Sequence, residues 1–130
     1  MAARAHGDAA LVEAFEAVEA ARQAAAEMGL PTSGPGAVTF TAGDATAVER
    51  SLEGEVPLVV VNPPRRGLGV ELAQRLEESQ VRSLIYSSCN ARTLARDLAA
   101  MPSWRPVQAR LLDMFPHTGH SETAVLLQRR

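Results

Sequence analysis

Residues 57–61, Pro-Leu-Val-Val-Val, form an unbroken apolar run that stops at Asn62-Pro63-Pro64. A run this short and this β-branched suits a strand better than a helix, and its lack of alternation suits a strand buried on both faces. Such strands belong to parallel sheets covered by helices. The remaining chain has the right pieces for one. Residues 82–87, 105–113 and 123–128 read as further strands, 37–41 (Ala-Val-Thr-Phe-Thr) as an earlier one, and 9–12 (Ala-Ala-Leu-Val) as a short first one. Residues 13–28 carry Phe15, Val18, Ala21, Ala25 and Met28 at helical spacing, with Gly29 and then Pro31 as stops. Residues 45–53, with Asp44 placed to cap them, 70–78 and 91–100 also read as helices, and 31–36 as a Pro/Gly loop. Strands alternating with helices predict a doubly wound α/β sheet, mostly parallel, with right-handed crossovers. No helix separates the last two strands, so the last one is expected to run antiparallel.

The 130 residues suit one domain, and a hydrophobic fraction of 46% argues against disorder. No apolar run approaches the roughly 18–20 residues of a membrane span, and the N-terminus does not read as a secretory signal. A single cysteine, Cys89, allows neither an internal disulfide nor a Cys-rich metal site, so a reducing, cytoplasmic setting is expected. Charge is uneven. Residues 1–61 hold three Arg against nine acids, a net of −6, whereas 62–130 hold ten Arg against six acids, a net of +4. A basic second half hints at an anionic partner such as RNA; a mixed solvated surface is the plainer alternative.

In a doubly wound sheet, ligands bind beyond the carboxyl ends of the strands. Polar clusters fall at those positions: Glu13, Asp44, Asn62-Pro63-Pro64-Arg65, Ser87-Ser88-Cys89-Asn90, and residues 114–122. The two prolines hold Asn62 extended, so its amide is presented rigidly and can meet the edge of a nucleobase or a cofactor. Cys89 falls between a strand and a helix. A helix N-terminus favours thiolate and so a nucleophile, whereas a lone cysteine is commonly just a small buried apolar residue. His117, His120 and Glu122 lack the helical spacing of a zinc motif, leaving Glu122 as a proton acceptor or as ordinary surface charge.

Taken together, residues 61–69 (VNPPRRGLG), 85–98 (IYSSCNARTLARDL) and 113–122 (DMFPHTGHSE) resemble the RNA uracil-C5 methyltransferase family, nearest to its 23S rRNA branch, in which Asn stands at position 62 and Ala at 91. The likeness runs from about residue 9 onward. It implies a Rossmann-like class I S-adenosylmethionine-dependent methyltransferase sheet. It also implies that Cys89 is the nucleophile that adds to uracil carbon 6, and Glu122 the general base that removes the carbon 5 proton. Glu13 would bind the cofactor ribose and Asp44 would lie near the adenine. Asn62 would face both the methyl-donor end of the cofactor and the target base, and Arg65 and Arg66 would contact RNA. The target uridine must be unstacked to reach Cys89.

The resemblance also marks what is missing. The family's first strand and Gly-rich turn have no counterpart here; the only early glycine is Gly7. The iron–sulfur cluster of the rRNA branch cannot be ligated by one cysteine. The chain is therefore expected to be the C-terminal portion of a catalytic domain over residues 1–130, inactive or nearly so alone, whose partners are 23S rRNA and the missing N-terminal segment. Two other readings stay open: a non-catalytic remnant of the same fold, and an amino-group methyltransferase using the Asn-Pro-Pro motif. The presence of both Cys89 and Glu122 disfavours the second of these.

Overall fold

The computed structural model describes residues 8–31, 33, 38, 56–114 and 117–130. Contacts divide the chain into two compact units, Met1–Ala47 and Val48–Arg130. The first contains one described element, helix α1 (Asp8–Glu27). Its alanines have the highest helix propensity. It ends in a Schellman motif: Leu30 N–H donates to Ala25 O and Gly29 N–H to Ala26 O, with Gly29 at φ +72° as the left-handed residue. The helix start corrects one expectation. Residues 9–12 are helical, not a strand, so Glu13 lies within α1 and not at a strand end. A helix satisfies its backbone groups within the segment, whereas a strand needs a ladder partner. The strand expected at 37–41 and the helix at 45–53 fall largely outside the described residues, as does Asp44; Val38 alone is described, its N–H donating to Pro31 O.

The second unit holds strands β1 (Leu58–Val61), β2 (Ser83–Ser88), β3 (Trp104–Leu112) and β4 (Glu122–Arg129), with helix α2 (Val70–Glu78) after β1 and α3 (Ala91–Ala99) after β2. The sheet order is β1-β2-β4-β3. β1 and β2 are parallel, and β4 is antiparallel to both β2 and β3. Three strands thus point one way and the last points back, as the missing crossover helix predicts. β4 slots between β2 and β3, where it completes both ladders. β3 is an edge, and its Pro106, which has no N–H to give, sits at a bulge where Val107 is the extra residue.

The core lies on one face. Leu84 and Tyr86 of β2 and Leu127 of β4 are fully buried, with Val125, against Leu72, Ala73 and Leu76 of α2 and Leu94 of α3. Arg129 closes this face: its guanidinium donates to the carbonyls of Leu76, Glu77 and Val81 and lies 4.6 Å from the centre of the Trp104 ring. The α2 C-terminus leaves carbonyls without helical partners, and a cation is favoured there. The opposite face corrects a second expectation. β1 is not buried on both sides: Leu58 is 46% and Val60 64% exposed. Among the described residues β1 pairs with β2 alone.

Candidate functional site

The topology brings three of the sequence candidates to one edge. β1 and β2 are parallel, so Asn62 and Cys89 both follow carboxyl ends. β4 runs the other way, so its first residue, Glu122, stands at that same edge. The β2–β4 ladder ends at Ser88 opposite Thr123, so Cys89 and Glu122 are the next residues along the two strands.

Cys89 is a free, exposed thiol, not a buried apolar residue. Its turn is fixed on both sides. The Ser88 hydroxyl, itself buried, donates to Asn90 O at 2.9 Å and accepts from Asn90 N–H at 3.0 Å. Asn90 caps α3, its side chain accepting from Arg92 N–H at 3.1 Å. Cys89 therefore stands two residues before the first turn of a helix, on a short, hydrogen-bonded bend. Glu122 is half-buried, and Ser87 donates a 2.7 Å hydrogen bond to its Oε1. Asn62 is exposed, and among the described residues its amide has no hydrogen-bond partner, so its donors and acceptor are free to meet a ligand.

The loop after Asn62 is clasped to α3 through its backbone. Arg65 O accepts from Asn90 Nδ2 at 3.3 Å and Thr93 Oγ1 at 3.0 Å, and Arg66 O accepts from Arg96 Nη2 at 2.5 Å. Gly67 completes the turn, its N–H donating to Pro64 O, at φ +85°. A Cβ there would run into the carboxylate of Asp97, so only glycine fits. With their carbonyls engaged, Arg65 and Arg66 leave their side chains exposed. Arg92 and Arg96, one turn apart on α3, add two more guanidinium groups to the same surface.

Asp97 is the hub of this clasp. It is 3% exposed, and its Oδ2 accepts from Leu68 N–H and Tyr86 Oη, both at 2.7 Å. Its Oδ1 accepts from Arg96 Nε at 3.3 Å and Nη2 at 3.1 Å. One buried carboxylate thus links the Asn62 loop, the Cys89 strand and α3. Burial pushes the Tyr86 phenol well above the ordinary tyrosine range, and the hydrogen bond to Asp97 and its charge add to this.

Asp44 lies outside the described residues. Glu13 belongs to the first unit. His117, at φ +71°, and His120 are exposed, and among the described residues no three His, Cys, Asp or Glu side chains group as a metal site. Two residues have no role assigned by the sequence reading: Asp97 and, although it stands in the Ser87–Asn90 cluster, Ser87. Asp97 had a legible signal: it shares the helical face of Leu94 and Met101, where a carboxylate must find partners. Ser87 had none, because its partner is 35 residues away.

The sequence profile described as tRNA (uracil-5-)-methyltransferase matches residues 48–130. A 23S rRNA (uracil(747)-C(5))-methyltransferase RlmC of Escherichia coli (strain SMS-3-5 / SECEC) is 46% identical over 116 residues, covering 88% of this chain and 29% of that protein. The RlmC of Halothiobacillus neapolitanus is 49% identical over 117 residues, covering 88% of this chain and 30% of its own. The chain thus spans less than a third of the length of these relatives. Among solved structures, the Pyrococcus abyssi tRNA (uracil-54, C5)-methyltransferase in complex with S-adenosyl-L-homocysteine aligns with a TM-score of 0.74 and 31% identity, over 87% of this chain and 26% of that one. Among the described residues no helix is long and apolar enough to cross a membrane.

Proposed function

Because the chain belongs to the tRNA (uracil-5-)-methyltransferase family, we propose that it carries the nucleophile and the base with which a uridine of 23S rRNA is methylated at carbon 5. The observation that carries this reading is the shared sheet edge. An exposed cysteine and a half-buried glutamate stand one step beyond the end of the same ladder, beside a loop whose Asn62 amide is unpaired among the described residues. The names of the RlmC relatives support 23S rRNA as the substrate, and the S-adenosyl-L-homocysteine complex supports S-adenosylmethionine as the donor.

Uracil carbon 5 is a weak nucleophile. Addition of the Cys89 thiolate to carbon 6 turns the ring into an enolate whose carbon 5 can take a methyl group. S-adenosylmethionine, when bound, supplies that methyl in electrophilic form. Glu122 then accepts the carbon 5 proton, the C5–C6 double bond re-forms, and the carbon–sulfur bond breaks to free Cys89. Asn62 suits the polar end of the cofactor or the edge of the base, since Pro63 after it favours an extended backbone and its amide has no hydrogen-bond partner among the described residues. Arg65 and Arg66 hold RNA phosphate or sugar from an anchored loop.

Glu13 and Asp44 as cofactor ligands rest on the resemblance alone. With no counterpart here to the family's Gly-rich turn, these 130 residues by themselves are expected to bind cofactor poorly and to turn over little; robust methylation of 23S rRNA by them alone would contradict this.

RNA containing 5-fluorouridine tests the mechanism, because fluorine at carbon 5 blocks the final elimination. The protein expressed from its full reading frame should form a complex with this RNA that survives denaturing electrophoresis and requires S-adenosylmethionine. Cys89→Ala should abolish it. A Cys89→Ala protein that still traps RNA would remove Cys89 from the role.

A further inference from the structure

Glu122 is a flexible side chain asked to meet one proton at one atom. Its surroundings are sparse. Its cross-strand neighbour on β3 is Leu112, which is apolar and 43% exposed and offers no hydrogen bond. On the other side, β2 presents Ser87. Ser87 pairs in register with Ala124, so Glu122, two residues away along β4, is its diagonal neighbour on the same face. The Ser87 hydroxyl donates to Glu122 Oε1 at 2.7 Å, a charge-assisted distance. Among the described residues it is the sole hydrogen-bond partner of that carboxylate, and Oε2 is left without one.

From this geometry we infer that Ser87 is a positioning residue for Glu122: its hydroxyl holds one carboxylate oxygen and thereby turns the other toward the carbon 5 proton. Fixing a glutamate costs rotamer entropy, and one short hydrogen bond to the charged group offsets it. Ser87 is also two residues before Cys89 on β2. Base and nucleophile are therefore both referenced to one strand, whose six residues Ser83–Ser88 are all paired with β4. A site held by a rigid element keeps reacting groups closer to productive geometry than a loop does.

This inference rests on Glu122 as the base of the proposed mechanism. In the step it serves, the carbon 5 proton moves to Glu122 Oε2. The C–H electron pair forms the C5–C6 double bond, and the carbon 6–sulfur pair leaves with Cys89 as thiolate. Ser87 takes no part in bond making. Its loss should slow this step and spare the earlier ones.

The test uses the protein expressed from its full reading frame and a 23S rRNA transcript labelled with tritium at uracil carbon 5. Tritium appearing in water reports proton removal, and denaturing electrophoresis reports the covalent complex. Ser87→Ala should slow tritium release roughly tenfold, the size of one hydrogen bond to a charged group, and should raise the fraction of protein bound to RNA. Its rate of trapping by 5-fluorouridine RNA should stay within about twofold of the unmodified protein, since trapping precedes proton removal. Ser87→Thr, which keeps a hydroxyl, should restore release to within about threefold. Failure of the unmodified protein to trap would sink the underlying mechanism. Normal trapping with unchanged release in Ser87→Ala would overturn the Ser87 role alone. So would equal slowing of trapping and release, or a threonine variant as slow as alanine.

Discussion

Replacing Asp97 is the sharpest probe of how the site is held together. The carboxylate is 3% exposed and accepts four hydrogen bonds, from Leu68 N–H, Tyr86 Oη, and Nε and Nη2 of Arg96. Asp97→Ala strands the Leu68 amide and the Tyr86 hydroxyl in the core, at about 1–3 kcal/mol each. Loss of the arginine contact adds less, because the Arg96 side chain is 59% exposed and screened by solvent. The expected cost is about 3–5 kcal/mol, a large share of the roughly 5–15 kcal/mol that keeps a domain folded. Asp97→Asn is milder. Its amide oxygen can still accept from Leu68 and Tyr86, but at neutral strength, and its NH2 then faces the Arg96 donors; about 1.5–3 kcal/mol is expected. Urea unfolding followed by fluorescence of Trp104, the only tryptophan, measures both. A double-mutant cycle isolates the contact. In a Tyr86→Phe background one of the stranded groups is gone, so Asp97→Ala should cost about 1–3 kcal/mol less. Strict additivity, or an Asp97→Asn cost below about 0.5 kcal/mol, would refute the clasp.

Three further outcomes follow from the same structure. Arg129→Ala should lose about 2–3 kcal/mol, and Arg129→Lys should recover little of it, because an ammonium cannot serve three carbonyls and a ring face at once; chemical denaturation measures both. Tyr86 is the only tyrosine, so tyrosinate absorbance reports it alone. Its folded-state pKa is raised above the ordinary 10.0, so stability should be insensitive to this group below pH 10. Above that, the unfolded chain ionises and the folded one does not, so stability should fall by up to about 1.4 kcal/mol per pH unit. Tyr86→Phe should flatten that fall. Arg65→Gln and Arg66→Gln should each lower the salt slope of RNA affinity by roughly 0.7–0.9 per lost phosphate contact, measured by titration at several salt concentrations.

The second unit was largely legible from local pattern. The helix at 70–78 has the expected limits, and the strands after it start and stop within a residue or so of expectation. That legibility has a physical basis: apolar runs, helix formers and stops are local signals, and the direction of β4 follows from the absent crossover helix. Asn62, Cys89 and Glu122 could be placed at one edge because each stands beside a strand end. One difference had a local cause and the others did not. Ala-Ala-Leu-Val at 9–12 fits a helix as well as a strand, and helical bonding within the segment decided it. Burial of Leu58 and Val60 depended on what lies across the sheet, which five apolar letters do not encode. Ser87 and Glu122 meet only because a two-strand register aligns them. Asp97 stood between these cases: its helical face marked it as buried, but its partners Leu68 and Tyr86 come from other elements.

The central claim is that Cys89 forms the bond to uracil. Mass spectrometry of the 5-fluorouridine complex tests it most directly. Cleavage after arginine releases the peptide Ser83–Arg92, which contains the single cysteine. The reading predicts that peptide carrying one methylated 5-fluorouridine nucleotide on the sulfur of Cys89. A complex in which the nucleotide sits on any other residue, or in which the attached uracil carries no methyl group, would contradict it.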